Sequence, residues 1–195
     1  RTLGHRGVTE ALEKAGSLFM LDAEGWVSGV RRVPSPNFDA RSPEVVIELV
    51  VVHAISLPPN AFGSGDIDRL FTNTLDSVAH PFFATIADLR VSAHFLIARD
   101  GRVTQYVSCL QRAWHAGVSA WRGREKCNDF SLGIELEGCD TLPFSDAQYM
   151  SLSRLLKLLR ASFPVVEVLG HADVAPGRKT DPGPFFDWRR CALQP

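Results

Sequence analysis

Residues 45–52, Val-Val-Ile-Glu-Leu-Val-Val-Val, give the strongest strand signal in the chain. β-Branched residues dominate, and apolar side chains occupy both alternating positions, as expected of a strand that is covered on both faces. We therefore predict a buried strand over 45–52 that ends at His53. A histidine at the end of such a strand can enter a cleft while the sheet holds its backbone, although taken alone it is more often a hydrogen-bonded structural residue.

A second strand is predicted over residues 131–138, Ser-Leu-Gly-Ile-Glu-Leu-Glu-Gly. Its leucine and isoleucine residues face one side, so Gly133, Glu135 and Glu137 face the other. A carboxylate on a central strand is costly unless it performs chemistry, binds a cation or pairs with arginine. We favour a functional role for Glu135 and a solvated or salt-bridged one for Glu137.

The remaining pattern supplies helices and a hairpin. Ser145 and Gln148 form a capping box before a helical stripe that ends ahead of Pro164, and this helix should cover the apolar face of strand 131–138. Residues 90–97 and 103–107 are predicted to be antiparallel neighbours joined at Asp100-Gly101. Shorter helices are predicted over residues 8–15, 67–71, 81–87 and 187–193.

The stretch 170–188, GHADVAPGRKTDPGPFFDW, concentrates polar residues in a loop rich in proline and glycine. His171 follows the apolar run 165–169, a predicted buried strand, and should emerge where irregular backbone begins. Lys179 and Asp181 share one parity and can point together toward it. Histidine, aspartate and a second histidine suit a catalytic zinc with three protein ligands. A capped structural loop explains the same residues, and the loop alone leaves both interpretations open.

Composition limits the class of protein. A chain of 195 residues that is 45% hydrophobic and 22% charged fits one globular domain. A net charge of −1 argues against non-specific binding to nucleic acid or to an anionic membrane. Four cysteines without a C-x-x-C pair favour a reducing compartment. We predict a cytoplasmic protein, because neither a membrane-length apolar run nor an export signal is evident, with residues 1–19 as a disordered or non-native extension of a domain spanning 20–195.

Eight collinear motifs carry a resemblance to a known family. They are RRVPSPNFDAR (31–41), VVHAISLPP (51–59), HPFF (80–83), LRVSAHFLI (89–97), RAWHAGVS (112–119), CNDFSLGIELEG (127–138), SDAQY (145–149) and GHADVAPGRKTDPG (170–183). In this order they resemble the type 2 N-acetylmuramoyl-L-alanine amidases, the superfamily that includes the peptidoglycan recognition proteins, and within it the cytosolic AmpD branch. The resemblance covers residues 24 to 191.

The resemblance implies an α/β fold, a single domain with a central mixed β-sheet flanked by helices. It also implies a zinc ion at His53, His171 and Asp181 and a catalytic pair, Glu135 and Lys179. Each of these five residues stands at the position of the matching residue in the family's motifs.

Further positions are implied to contact substrate. Arg90 and Trp114 match the family, and Lys126 stands where arginine is common, which keeps the charge but loses a bidentate fork. Ala54 departs from the family pattern, in which asparagine usually follows the first zinc ligand and is expected to touch substrate.

The implied activity is zinc-dependent hydrolysis of the amide between the lactyl group of 1,6-anhydro-N-acetylmuramic acid and L-alanine, by a monomer acting on small soluble muropeptides. Zinc would activate water, Glu135 would move the protons and Lys179 would stabilise the oxyanion. Two alternatives stay open at this point. One is a muropeptide-binding module without catalysis, and the other is a zinc endopeptidase that cuts the stem peptide.

Overall fold

A six-stranded mixed sheet forms the centre of the computed structural model, which describes residues 19–191. The strands are β1 (Arg31–Arg32), β2 (Phe38–Ala40), β3 (Leu49–Ile55), β4 (Phe95–Ile97), β5 (Val103–Gln105), β6 (Gln111–Ala113), β7 (Ala120–Trp121), β8 (Arg124–Glu125), β9 (Ser131–Glu137) and β10 (Glu167–Gly170). The α-helices are α1 (Asp66–Phe71), α2 (Pro81–Thr85), α3 (Asp146–Ser162) and α4 (His171–Val174), with 3-10 turns at Cys127–Phe130 and Trp188–Arg190.

The strand order of the main sheet is β1-β5-β4-β9-β3-β10. Strands β4, β9, β3 and β10 are parallel neighbours, whereas β4 and β5 are antiparallel. The turn between β4 and β5 contains Gly101 with φ 85°, a left-handed conformation that glycine adopts without strain. The predicted antiparallel pair and the α/β fold with a central mixed sheet are thus confirmed.

The register of the parallel strands determines where functional side chains meet. His53 lies opposite Glu135 in the pairing of β3 with β9, and Gly170 lies opposite Val52 in the pairing of β10 with β3. Parallel strands end at the same edge of a sheet. His53, Glu135 and the residue after β10, His171, are therefore delivered to one edge.

Helix α3 covers one face of the sheet, and Glu135 points to the other face. Its N-terminus has the predicted capping box, in which the Ser145 side chain accepts from Gln148 N and the Gln148 side chain accepts from Ser145 N. The helix ends before Pro164, as predicted. Its leucines form one buried apolar cluster with the side chains of Leu132, Ile134 and Leu136 of β9. The prediction that helix and site occupy opposite faces of β9 is correct.

Several predicted boundaries were wrong. Strand 45–52 is instead Leu49–Ile55, because a turn from Ser42 to Val45 keeps its start out of the sheet and pairing with β9 carries it past His53. The predicted strands 90–97 and 103–107 shorten to β4 and β5.

The run 165–169 is not a buried strand. Its first two residues precede the sheet, with Val166 60% exposed, and the rest belongs to β10, an edge strand that is mostly half-buried.

The shorter predicted helices were partly right. Helix 67–71 is present as α1, helix 81–87 shortens to α2, and the described part of 187–193 forms only a 3-10 turn. The predicted helix 8–15 and most of the predicted extension 1–19 lie outside the described residues. Within residues 19–191, no helix combines the length and the apolar character needed to cross a membrane.

Candidate metal centre

Three potential ligand atoms converge at the carboxyl edge of the sheet. The Nδ1 atoms of His53 and His171 are 2.9 Å apart, and Asp181 Oδ2 lies 3.2 Å from the first and 3.1 Å from the second. His53 comes from β3, His171 opens α4, and Asp181 follows in the proline-rich loop. A triangle of this size suits one ion about 2 Å from each donor, the usual zinc–ligand distance.

The hydrogen-bond partners of His171 show that this triangle fits a cation. His171 Nε2 lies 3.0 Å from the carbonyl oxygen of Ala116, which can only accept a hydrogen bond. A neutral imidazole carries one N–H, so His171 Nδ1 holds a lone pair that points at Asp181, another acceptor. Acceptors 3.1 Å apart with no proton between them repel each other, and a cation bound there would remove that repulsion.

His53 is suited to the same role. It is 2% exposed, and burial lowers the pKa of His53 to about 4, with the Lys179 charge acting in the same direction against the opposing effect of Asp181. Its ring is neutral at neutral pH and available as a ligand. His53, His171 and Asp181 therefore form a group that can hold a metal ion.

Glu135 lies beside this group on β9, directly across from His53. It is 8% exposed, and its Oε2 atom is buried without a hydrogen-bond partner among the residues that the structure describes. Burial raises the pKa of Glu135 well above its usual value, as does the nearby Asp181 charge, whereas Lys179 favours the ionised form. A buried, unpaired carboxylate next to a metal-binding group has the properties of a proton acceptor.

Glu137 faces the same side of β9 but is held differently. Its carboxylate accepts hydrogen bonds from the backbone nitrogens of Gly63, at 2.5 Å, and Arg99, at 3.2 Å. Both oxygens therefore hold loops in place. The prediction that Glu137 is solvated or salt-bridged was wrong, because its buried carboxylate hydrogen-bonds to backbone nitrogens instead. The functional role of Glu135 stays a prediction.

Lys179 is exposed in the loop between α4 and Asp181, and its backbone nitrogen donates to the carbonyl of Ala175. Its charge lies close enough to alter the pKa of both Glu135 and His53. The expected irregular backbone after His171 begins later than predicted, because the Asp173 carboxylate accepts from Gly170 N and starts the one-turn helix α4.

None of the three expected substrate-contacting residues hydrogen-bonds to the ligand group within residues 19–191. Arg90 is exposed and donates to the carbonyl oxygens of Ala87 and Leu89. Trp114 is half-buried, and its backbone pairs with Ser92.

Lys126 lines a cavity of about 520 Å³ together with Val174 of α4 and Arg178. Within residues 19–191, the hydrogen-bond partners of Arg90, Trp114 and Lys126 are residues other than His53, His171 and Asp181. Ala54 is partly buried and packs against the apolar cluster that contains α3.

Two residues that no sequence pattern singled out hold the ligand-bearing segments in place. His115 is buried, with its Nδ1 2.9 Å from His53 Nε2. Asn128 accepts through Oδ1 from the backbone nitrogens of His115 and Ala116. His115 lies in a loop, where no periodicity signals burial. Gly133 of β9 was the available signal, because it leaves space on the site face.

A three-donor group with a buried carboxylate beside it is the arrangement of a hydrolase that uses a metal ion. The chain belongs to the N-acetylmuramoyl-L-alanine amidase family, whose sequence model matches residues 43–184. The amidase resemblance that the motifs carried is thereby confirmed.

Individual relatives support this membership. The chain is 58% identical over 173 residues to the 1,6-anhydro-N-acetylmuramyl-L-alanine amidase AmpD of Escherichia coli K12, covering 88% of this chain and 94% of the relative. It superposes on the crystal structure of a selenomethionine AmpD derivative with a TM-score of 0.85 and 57% identity, over 88% of this chain and 97% of that one.

A more distant solved relative is the Escherichia coli amidase AmiD in complex with anhydro-N-acetylmuramic acid-L-Ala-D-gamma-Glu-L-Lys. It matches with a TM-score of 0.56 and 31% identity, over 90% of this chain and 65% of that one.

Proposed function

We propose that this protein hydrolyses the amide between the lactyl group of 1,6-anhydro-N-acetylmuramic acid and L-alanine, in peptides released during peptidoglycan recycling. The observation that carries the proposal is the set of three converging acceptor atoms beside Glu135, whose buried Oε2 atom has no hydrogen-bond partner within residues 19–191. The identity of 58% to an AmpD amidase supports the choice of bond and sugar.

The metal in this proposal is zinc, held by His53, His171 and Asp181. Two imidazole nitrogens and one carboxylate oxygen are ligands that zinc accepts, and three protein ligands leave a position open for water or substrate. When bound, zinc would lower the pKa of a water molecule toward about 7 and polarise the scissile carbonyl.

Glu135 is the proposed general base and acid. Its free Oε2 atom can accept a proton from the attacking water and return it to the leaving amine nitrogen. The raised pKa suits this exchange, because a carboxylate of ordinary acidity is a weaker base and takes a proton from water less readily.

Lys179 is proposed to stabilise the negative charge that develops on the carbonyl oxygen. One such donor contributes about 2.7–4 kcal/mol in other hydrolases. Lys179 is exposed, and its charge acts on the pKa of both Glu135 and His53.

Substrate recognition is proposed for Arg90, Trp114 and Lys126. A groove beside α4 that Lys126 lines would accommodate a peptide carboxylate near its charge. A monomeric, cytosolic enzyme comprising residues 20–195 remains a prediction from the AmpD resemblance.

Product analysis tests the reaction. Anhydro-muramyl tripeptide incubated with the zinc-loaded protein should give free anhydro-muramic acid and an intact tripeptide, identified by mass spectrometry. An endopeptidase would instead leave L-alanine on the sugar. A binding module would retain the intact substrate without cleaving it.

Metal analysis tests the ligand set. His171→Ala should purify without zinc, whereas wild-type protein carries about one ion per chain. His80→Ala is the matched control, since the His80 side chain caps α2 by accepting from Phe82 N and its removal should leave the zinc in place. Full zinc occupancy in His171→Ala would contradict the assignment.

A further inference from the structure

A chain of buried hydrogen bonds continues from His53 away from the metal-binding group. His53 Nε2 lies 2.9 Å from His115 Nδ1, and His115 Nε2 lies 3.2 Å from Ser131 Oγ. Ser131 Oγ in turn lies 2.5 Å from the carbonyl oxygen of Cys127. All four residues are buried, so these contacts are not shared with solvent.

The carbonyl at the end fixes the direction of every hydrogen bond in this chain. Because Cys127 O can only accept, the Ser131 hydroxyl must donate its proton there. Ser131 Oγ then accepts from His115 Nε2–H, which leaves His115 Nδ1 without a proton. His115 Nδ1 therefore accepts from His53 Nε2–H, and the lone pair of His53 Nδ1 points at His171 and Asp181.

Ala116, which follows His115 in the chain, orients the second histidine ligand, His171, in the same way. The carbonyl of Ala116 accepts from His171 Nε2 at 3.0 Å, which places the lone pair of His171 on Nδ1. Asn128 Oδ1 accepts from the backbone nitrogens of both His115 and Ala116, at 3.2 and 2.8 Å. The dipeptide His115-Ala116, held by Asn128, thus orients the imidazoles of both His53 and His171.

Packing prevents the His115 ring from adopting another position. A Cβ atom added at Gly133 would lie 2.5 Å from His115 Cγ, so the ring rests directly on the backbone of β9. It also meets the His53 ring edge-on, with centroids 5.0 Å apart. A metal-ligating histidine commonly donates its second N–H to a carboxylate, carbonyl or water, and here another buried histidine takes that place.

We propose that His115 is a positioning residue for the metal centre, which holds His53 in the tautomer whose Nδ1 is free to bind the ion. The inference rests on the proposed zinc site. His115 contacts His53 at Nε2, the ring nitrogen that does not face the metal-binding group. The proposal therefore predicts that the His53 tautomer is set before any metal binds.

Zinc affinity tests the role through matched variants, measured by competition with a chromophoric chelator. His115→Leu removes the acceptor for His53 Nε2–H and should weaken zinc binding by about 10- to 100-fold, the usual effect of losing such a partner. His115→Asn can present its amide oxygen near the lost Nδ1 and should restore most of the affinity. His94→Leu controls for the loss of a buried histidine, because His94 bonds to Gly133 N and Gln111 O instead of to a ligand.

His94→Leu should bind zinc as wild-type protein does. Equal weakening by His94→Leu and His115→Leu would show general damage to the core and overturn the proposal. If His115→Leu fails to fold, Ser131→Ala carries the test, since it removes only the hydroxyl that fixes the His115 tautomer. Wild-type zinc affinity in Ser131→Ala, or in a folded His115→Leu, would refute the positioning role.

Nitrogen-15 NMR of the metal-free wild-type protein supplies a readout that needs no zinc. The proposal expects the His53 proton on Nε2, and a mixture of tautomers in Ser131→Ala. A wild-type proton on Nδ1 would overturn it. Wild-type protein that has the expected tautomer but no affinity for zinc would refute the proposed metal site and leave the hydrogen-bond chain standing.

Discussion

Replacing Gly133 by alanine would place a methyl group against the His115 ring. The new Cβ atom would lie 2.5 Å from His115 Cγ and 2.7 Å from Cδ2 and Nδ1, whereas ordinary contacts begin at 3.4 Å. The ring would therefore have to retreat by about 1 Å, because β9 is paired on both sides and cannot move easily. That displacement would strain the hydrogen bond from His53.

The expected change in the free energy of unfolding follows from two opposing effects. Overpacking a core costs about 1–3 kcal/mol, whereas glycine to alanine stabilises by about 0.4–1 kcal/mol through the unfolded chain. We expect Gly133→Ala to lose about 1–2 kcal/mol, measured by urea denaturation of the metal-free protein.

A double-mutant cycle identifies the cause of this loss. In a His115→Ala background the methyl group has space, so Gly133→Ala should cost nothing or stabilise the protein. An unchanged cost of Gly133→Ala in that background would refute the idea that the ring and the glycine are coupled.

Four further outcomes are expected. Glu135→Ala should keep its zinc and lose activity by about 100- to 10,000-fold, the range for general acid–base catalysis, whereas Glu137→Ala should mainly lower stability; equal activity losses would contradict these roles. Burial raises the pKa of Glu135 in the folded protein above its pKa in the unfolded chain. The stability that Glu135 contributes to the metal-free protein is therefore present below the unfolded-state pKa and is lost as pH rises through the folded-state pKa. Glu135→Gln should reduce this loss of stability, measured by urea unfolding from acid to neutral pH. Arg41→Lys should destabilise by about 1.5–3 kcal/mol on thermal unfolding, since an ammonium cannot span the three backbone carbonyls that the guanidinium binds; wild-type stability would contradict this. In competition at equal scissile bonds, anhydro-muramyl tripeptide should be cleaved in preference to intact sacculi, as followed by chromatography, and comparable turnover would count against a recycling role.

Local patterns in the sequence predicted the elements that local physics controls. The alternation along β9 assigned its apolar face to α3 because strand side chains alternate strictly, and the Ser145–Gln148 capping box located the start of that helix. His53 and His171 could be singled out because each lies at or near the end of an apolar run. Their convergence needed the parallel order β9-β3-β10, which no single run encodes.

The residues that sequence patterns could not supply depend on contacts between distant segments. His115 is buried only because Gly133, on another element, leaves room for its ring. The run 165–169 resembles a buried strand, yet β10 lies at the sheet edge because strand order, not composition, decides which strand has one neighbour. Only Gly170 of β10 is consequently buried, and the other three residues of the strand are half-buried.

The edge position of β10 gives a bound ion a mechanical consequence. His53 belongs to a central strand and His171 follows the edge strand, 118 residues later in the chain. An ion held by both would act as a cross-link, and closing a loop of about 100 residues in the unfolded chain is worth about 4.7 kcal/mol in the chain-entropy treatment of disulfides. Chelation should therefore loosen the carboxyl-terminal segment first, with the amide protons of β10 exchanging before those of β3.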